Sequence, residues 1–128
     1  MGALAAVIVW LNRERRYGEK LMAGMTRVLD QRGIAHAFSG HPSMFGLFFA
    51  PQPPRNYRDW KRSDYGFYDT MAPFLHERGV LCEPDSREPW FVSAAHDESC
   101  LKDTLAAFEA AVDETRTALE EGSEGAVA

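Results

Sequence analysis

The stretch 88-EPWFVSAAHDES-99 places acidic residues and a histidine beside one short apolar run. Glu88 precedes the run and His96 follows it. A carboxylate can orient or deprotonate a substrate, and a histidine can exchange a proton near neutral pH. The same residues would also suit the polar ends of a core strand. The pattern therefore leaves two alternatives open, the edge of an active site and a structural strand.

Other chemistry has weaker support in the sequence. Ser93 and His96 are three residues apart, but a triad also needs an orienting acid and an oxyanion hole, and neither is indicated. There is no dinucleotide fingerprint, Walker loop, nucleophile elbow or zinc-protease motif. The four histidines have no ligand spacing, so we predict no metal site. Read from the residues alone, the chain has no self-contained catalytic site.

Composition excludes several classes of partner. The chain has 128 residues, 45% hydrophobic and 26% charged, with a net charge of −5. This balance suits one globular domain and argues against nucleic acid, which needs a clustered basic surface. The apolar run 1–11 is about half the ~20 residues that span a bilayer, so we predict the start of a buried helix and no membrane partner. Two cysteines make no disulfide framework, which favours a cytoplasmic location.

Two long helices are predicted at the ends of the chain. Residues 3–32 carry apolar side chains at helical spacing, and Gly33 is a typical stop. A helix over residues 98–120 is capped by Asp97. Its apolar stripe consists of Leu101, Leu105, Phe108, Val112 and Leu119.

Shorter elements lie between the two helices. Residues 34–50 suggest two extended segments around a turn at 40–42, and residues 80–83 and 90–94 suggest two more strands. A helix capped by Ser63 or Asp64 runs to residue 78. The order predicts an α+β fold, with a small, mainly antiparallel sheet of three to four strands covered by helices. We expect a single domain over residues 1–120 and a flexible tail over 121–128.

Two motifs carry a family resemblance. The first is 40-GHPSMF-45, and the second is 79-GVLCEPDSREPWFVSAAH-96. In this order and spacing the chain resembles the C-terminal small domain of class III, ornithine-aminotransferase-like, pyridoxal-phosphate-dependent aminotransferases. Glutamate-1-semialdehyde 2,1-aminomutase and the aminotransferases similar to it form the closest branch. The resemblance covers residues 2–120, and residues 2–32 match the interdomain helix of the family.

The resemblance implies a role for three residues in a parent enzyme. The position of Glu88 comes near the substrate side of the cleft in this family, with Arg87 beside it as an anion partner or gate. Ser43 belongs to the first motif, and we expect all three to contact an amino-acid or keto-acid substrate. A surface Arg–Glu pair is the competing interpretation. Asp85 and Pro89 depart from the family pattern, which leaves the choice of substrate open.

The resemblance also separates this chain from the cofactor. The family binds pyridoxal 5'-phosphate through a lysine of a large domain, and Lys20, Lys61 and Lys102 all lie outside any such motif. We therefore expect no cofactor in this chain, no catalysis by it alone, and a role in closing the substrate cleft of the parent. Its partner would be the large cofactor-binding domain, or a second copy through an exposed apolar face. The alternative is a free-standing interaction or regulatory module derived from that domain. A complete small enzyme is disfavoured by the absent motifs.

Overall fold

The computed structural model describes residues 2–127, with side chains up to Ser123. These residues form four helices and one three-stranded sheet. The elements are α1 (Ala3–Gln31), β1 (Ala37–His41), β2 (Met44–Phe48), α2 (Tyr57–Arg62), α3 (Tyr65–Glu77), β3 (Trp90–Phe91) and α4 (Glu98–Val127). The sheet is antiparallel throughout, in the order β1-β2-β3. The predicted α+β architecture, with long helices at both ends, is confirmed.

The predicted helix ends are set by local chemistry. Asp64 and Asp97 each accept, through a side-chain oxygen, the backbone N–H of the residue three positions later, at 3.1 and 2.9 Å. Gly33 and Gly79 follow α1 and α3 with φ of 65° and 80°. Only glycine takes this left-handed conformation without a steric cost, so each residue ends its helix.

The core lies where α1, α3 and α4 meet β2. The predicted face of α1, made of Tyr17, Leu21, Met25 and Val28, is buried as a whole. Phe108 and Val112 of α4 are fully buried, as expected from the stripe. Leu119 is an exception, because it is 42% exposed. The buried side chain nearest to it along α4 is that of Thr115, whose hydroxyl donates to the carbonyl of Ala111 at 2.7 Å.

Two predicted strands are shorter than expected or absent. Residues 80–83 form no strand, because neighbouring side chains take up two of their carbonyls. His76 Nε2 lies 2.6 Å from the Cys82 oxygen, and the Tyr68 hydroxyl donates to the Glu83 oxygen at 3.2 Å. The strand predicted over residues 90–94 ends at Phe91. Soon after it, the backbone N–H of Ser93 turns to a side-chain acceptor.

Helix α4 continues to Val127, whereas the sequence suggested an end near residue 120 and a loose tail. Gly122 lies inside the helix and does not adopt a positive φ. A helical glycine costs about 1 kcal/mol relative to alanine, which does not by itself end a helix. The domain boundary at residue 120 stays a prediction.

The apolar N-terminal run is exposed, so the prediction of a buried helix start is wrong for this chain. Leu4 is 74% exposed, Trp10 58% and Leu11 59%. The part of the chain that the structure describes does not cover them. No helix within residues 2–127 has the length and apolar character needed to cross a membrane.

Candidate functional site

Arg87 and Glu88 lie on one tight turn that leads into β3. The Glu88 N–H donates to the Asp85 carbonyl at 3.0 Å, which closes the turn. The Asp85 side chain also accepts the Arg87 backbone N–H at 2.9 Å and its Nε–H at 3.0 Å. The Arg87 guanidinium therefore holds the pKa of Asp85 below its ordinary value. Asp85, which departs from the family pattern, fixes the direction of Arg87.

Trp60 of α2 packs against this turn. Its indole Nε1–H donates to Ser86 Oγ at 2.8 Å, and Ser86 is only 3% exposed. Its ring lies 4.9 Å from the Arg87 guanidinium carbon, a cation–π distance. The other ring neighbours of Trp60 are Tyr65 at 4.7 Å and Tyr57 at 5.4 Å. The turn thus rests on an aromatic surface that is itself held by stacking.

The Glu88 carboxylate is exposed and forms no hydrogen bond or ion pair with the residues that the structure describes. Its neighbour Arg87 pairs with Asp85 instead. The surface Arg–Glu pair weighed from the sequence is therefore absent among these residues. Glu88 is held in place by its backbone while its side chain stays available for another group.

Ser43 lies at the other end of β3 from Glu88. Its carbonyl accepts the Val92 N–H at 2.9 Å, and its hydroxyl bonds to His41 Nδ1 at 2.9 Å. Val92 follows the strand whereas Glu88 precedes it. The structure therefore brings Arg87 and Glu88 together but places Ser43 apart from them, in the turn between β1 and β2.

His96 serves the local backbone. Its Nδ1 accepts the Ser93 N–H at 2.9 Å, and its ring stacks on Tyr17 of α1 at 5.3 Å. Because that nitrogen already accepts a backbone proton, it is poorly placed to deprotonate the Ser93 hydroxyl at 3.4 Å. This geometry favours a structural role for His96 over a catalytic one.

No other reactive centre stands out in residues 2–127. Among the side chains that the structure describes, up to Ser123, no group of three or more His, Cys, Asp or Glu could hold a metal ion. Cys82 and Cys100 are free thiols. Burial raises the pKa of Cys82 to about 11, which keeps it protonated and weakly nucleophilic at neutral pH.

The lysines do not fit a covalent site for pyridoxal phosphate. Such a lysine must be enclosed and deprotonated beside the cofactor. Lys20 is exposed and pairs with Glu98 at 2.5 Å. Lys61 is exposed, 5.6 Å from the Tyr65 ring, and Lys102 is exposed as well. None of the three lysines is therefore placed to hold the cofactor covalently.

The fold is that of part of a pyridoxal-phosphate-dependent transaminase. The FumI protein of Sphingopyxis sp. MTA144, solved in its PLP internal aldimine form, matches 87% of this chain with a TM-score of 0.69 and 22% identity. An omega-transaminase from Sphaerobacter thermophilus matches 82% of it with a TM-score of 0.72 and 24% identity. The chain covers 24% of each of these proteins. Similarity at this level of identity establishes the fold alone.

Closer relatives in sequence are glutamate-1-semialdehyde 2,1-aminomutases. That of Methanothermobacter thermautotrophicus is 37% identical over 94 residues, which are 73% of this chain and 22% of the relative. That of Thermoplasma acidophilum is 36% identical over 99 residues, 77% of this chain and 23% of the relative. No family model matches the chain. The chain is a homologue of part of these aminomutases and spans less than a quarter of their length, which confirms the predicted resemblance.

Trp60 and Ser86 were not predicted as parts of the site. The aromatic residues Phe45, Phe49, Phe67 and Tyr68 are buried in the core. Trp60 and Tyr65 are only partly buried. A tryptophan among polar residues in 55-RNYRDWKR-62 was the one available signal. It did not indicate a partner 26 residues away.

Proposed function

We propose that this chain acts as the C-terminal small domain of a pyridoxal-phosphate-dependent aminotransferase or glutamate-1-semialdehyde aminomutase. In this role it closes the substrate side of the cleft, while a separate large domain supplies the cofactor and its lysine. The homology to about a quarter of such enzymes supports this proposal. The exposure of all three lysines to solvent also supports a cofactor lysine in the separate large domain.

The main support for the proposed site is Glu88, whose carboxylate is free to bind a substrate and is presented on an ordered turn. Its backbone is fixed by Asp85, yet its carboxylate is exposed and unpaired among the described residues. A carboxylate held in this way can accept a hydrogen bond from an amino or hydroxyl group of a substrate. Arg87 would meet a carboxylate of the substrate, in competition with Asp85. Ser43, which lies apart from Arg87 and Glu88 in the turn between β1 and β2, would contact another part of the substrate once the large domain encloses the cleft.

The test uses a parent enzyme in which this chain is joined to its cofactor-binding domain. Losing a polar contact in a water-excluded cleft costs about 1–3 kcal/mol, roughly a five- to hundred-fold loss in kcat/KM. Glu88→Gln and Glu88→Ala should show this loss with an unchanged thermal midpoint. Arg87→Ala should raise KM for anionic substrates only. Parental kinetics in both Glu88 variants, on every substrate that the enzyme accepts, would refute the assignment.

A second candidate is favoured by the exposed N-terminal turns of α1. Large apolar side chains from Leu4 to Leu11 are 45–74% exposed. An apolar surface of this kind usually contacts another protein. In a free-standing module it would bind a second copy or another partner, whereas in a parent enzyme the large domain would cover it. Sequencing the gene upstream of Met1 separates the two functions, because an in-frame cofactor domain supports the first and an unrelated reading frame favours the second.

A further inference from the structure

We propose that Trp60 is a positioning residue for the turn that presents Arg87 and Glu88, acting through Ser86 and through the face of its own ring. The effect of Trp60 on substrate specificity rests on the function proposed above. The positioning itself is a property of this chain. The resulting specificity would be for substrates that carry a carboxylate, because Arg87 is the charge held in place.

Trp60 is suited to this role because it is fixed independently of the turn. Helix α2 begins at the Asn56 cap, whose side chain accepts the Asp59 N–H at 3.0 Å. It ends at buried Ser63, whose hydroxyl donates to the Trp60 carbonyl at 2.6 Å. The Trp60 ring also stacks on Tyr65, at the start of α3. A short helix is thereby held at both ends, and its tryptophan has a defined orientation.

The contact with Ser86 joins that support to the turn. Ser86 Oγ is buried, and the indole N–H at 2.8 Å is the only donor that reaches it among the described residues. Removing that donor leaves a buried oxygen without its partner, a change that favours opening of the turn. Because Arg87 and Glu88 directly follow Ser86, opening would release both side chains together.

The stacking contact controls Arg87 in particular. The guanidinium lies over the Trp60 ring and bonds to Asp85 on the same turn. Ring and carboxylate together hold the charge in one direction. An anion that approaches the turn must compete with Asp85, while the ring keeps the guanidinium close. Trp60→Phe keeps a ring under Arg87 but loses the N–H, so this variant separates the two contacts.

The test is limited trypsin cleavage of the 128-residue chain under native conditions, quantified at each site by mass spectrometry. Cleavage after Arg87 reports opening of the turn, and cleavage after Arg27 within α1 reports unfolding of the core. Ser86→Ala and Trp60→Phe should each accelerate cleavage after Arg87 about tenfold, as expected when one hydrogen bond to a buried group is lost. Trp60→Ala should accelerate it further. Cleavage after Arg27 should stay slow in all three variants.

Two controls make the result specific. Trp10→Phe carries the same substitution at an exposed tryptophan of α1 and should leave cleavage after Arg87 unchanged. The double variant Trp60→Phe/Ser86→Ala should match the single variants, because all of them remove one shared bond. In the ¹H–¹⁵N spectrum, the Trp60 indole N–H should exchange slowly in the wild type and rapidly in Ser86→Ala.

The proposal is overturned if Trp60→Ala leaves cleavage after Arg87 unchanged, or if cleavage after Arg27 rises in parallel. It is equally overturned if the effects of Trp60→Phe and Ser86→Ala add in full. None of these measurements involves a substrate, so they separate this inference from the proposed function. Unchanged kinetics in the Glu88 variants would refute the substrate assignment while the cleavage data still support the positioning role of Trp60.

Discussion

Gly18 of α1 lies directly against the carbonyl of Pro42 in the turn between β1 and β2. A Cβ atom on Gly18 would overlap that oxygen, so glycine is required for this approach. Ser43 follows Pro42, and the contact therefore sets the distance between α1 and the turn that carries a candidate site residue. The lower helix propensity of Gly18 is the cost of this packing.

Gly18→Ala should destabilise the chain. The overlap involves backbone on both sides, so one element must shift, at about 1–3 kcal/mol for an overpacked site. The measurement is the urea midpoint. Gly122→Ala is the matched control, because Gly122 is helical and, among the described residues, no atom outside its own stretch of helix lies within 4 Å of the added Cβ. The control should be neutral or stabilising by up to about 1 kcal/mol. Equal midpoints in the two variants would contradict the required close approach.

Phe108→Ala should cost about 3–5 kcal/mol, because Phe108 is fully buried and its removal leaves a cavity. Leu119→Ala, on the same predicted stripe but 42% exposed, should cost much less. Urea unfolding followed by circular dichroism gives both values. An unchanged midpoint for Phe108→Ala would mean that α4 does not pack against α1 and α3 in solution.

The ion pair between Arg32 and Asp113 should make stability depend on pH. Arg32 Nε lies 2.6 Å from Asp113 Oδ1, and this bond holds the pKa of Asp113 below its ordinary value. Its contribution is therefore complete above the unfolded pKa, about 3.9 for aspartate. It is lost as the pH falls through the lower folded pKa. Arg32 also forms an ion pair with the exposed Glu109, so the positive charge of Arg32 is shared between the two carboxylates.

The measurement compares urea midpoints at pH 7 and in steps below pH 4. Asp113→Asn should lower the midpoint at pH 7, and its difference from the wild type should shrink toward acid pH. Asp69→Asn, at an exposed carboxylate of α3 with no ion pair among the described residues, should show no such difference. A constant gap between wild type and Asp113→Asn at every pH would refute the linkage.

The isolated chain should not retain pyridoxal phosphate on a lysine. Each lysine is exposed, so its amine is solvated, and none of the described residues encloses a cofactor beside it. After incubation with the cofactor and dialysis, the visible spectrum should show no stoichiometric aldimine band, and subsequent borohydride reduction should label no lysine stoichiometrically. Stoichiometric labelling of one lysine, located by peptide mapping, would show that the chain carries a cofactor site of its own.

The sequence predicted those features that depend on neighbouring residues. The caps at Asp64 and Asp97 and the stops at Gly33 and Gly79 involve contacts within about four residues, so local pattern is sufficient. The buried face of α1 followed from helical periodicity in the same way. The family resemblance rested on the order of two motifs, and it indicated Glu88 and Arg87 as candidate contacts.

The tertiary structure decided what depends on residues far apart in the chain. Residues 80–83 have strand-like composition, but His76 and Tyr68 bond to the carbonyls of Cys82 and Glu83, and no local sequence pattern indicates that competition. Trp60 reaches Ser86 only because α2 and the turn before β3 pack together. The apolar start of α1 is exposed because the rest of the described chain folds elsewhere. Composition indicates that a side chain is apolar, but only tertiary packing determines whether another surface buries it.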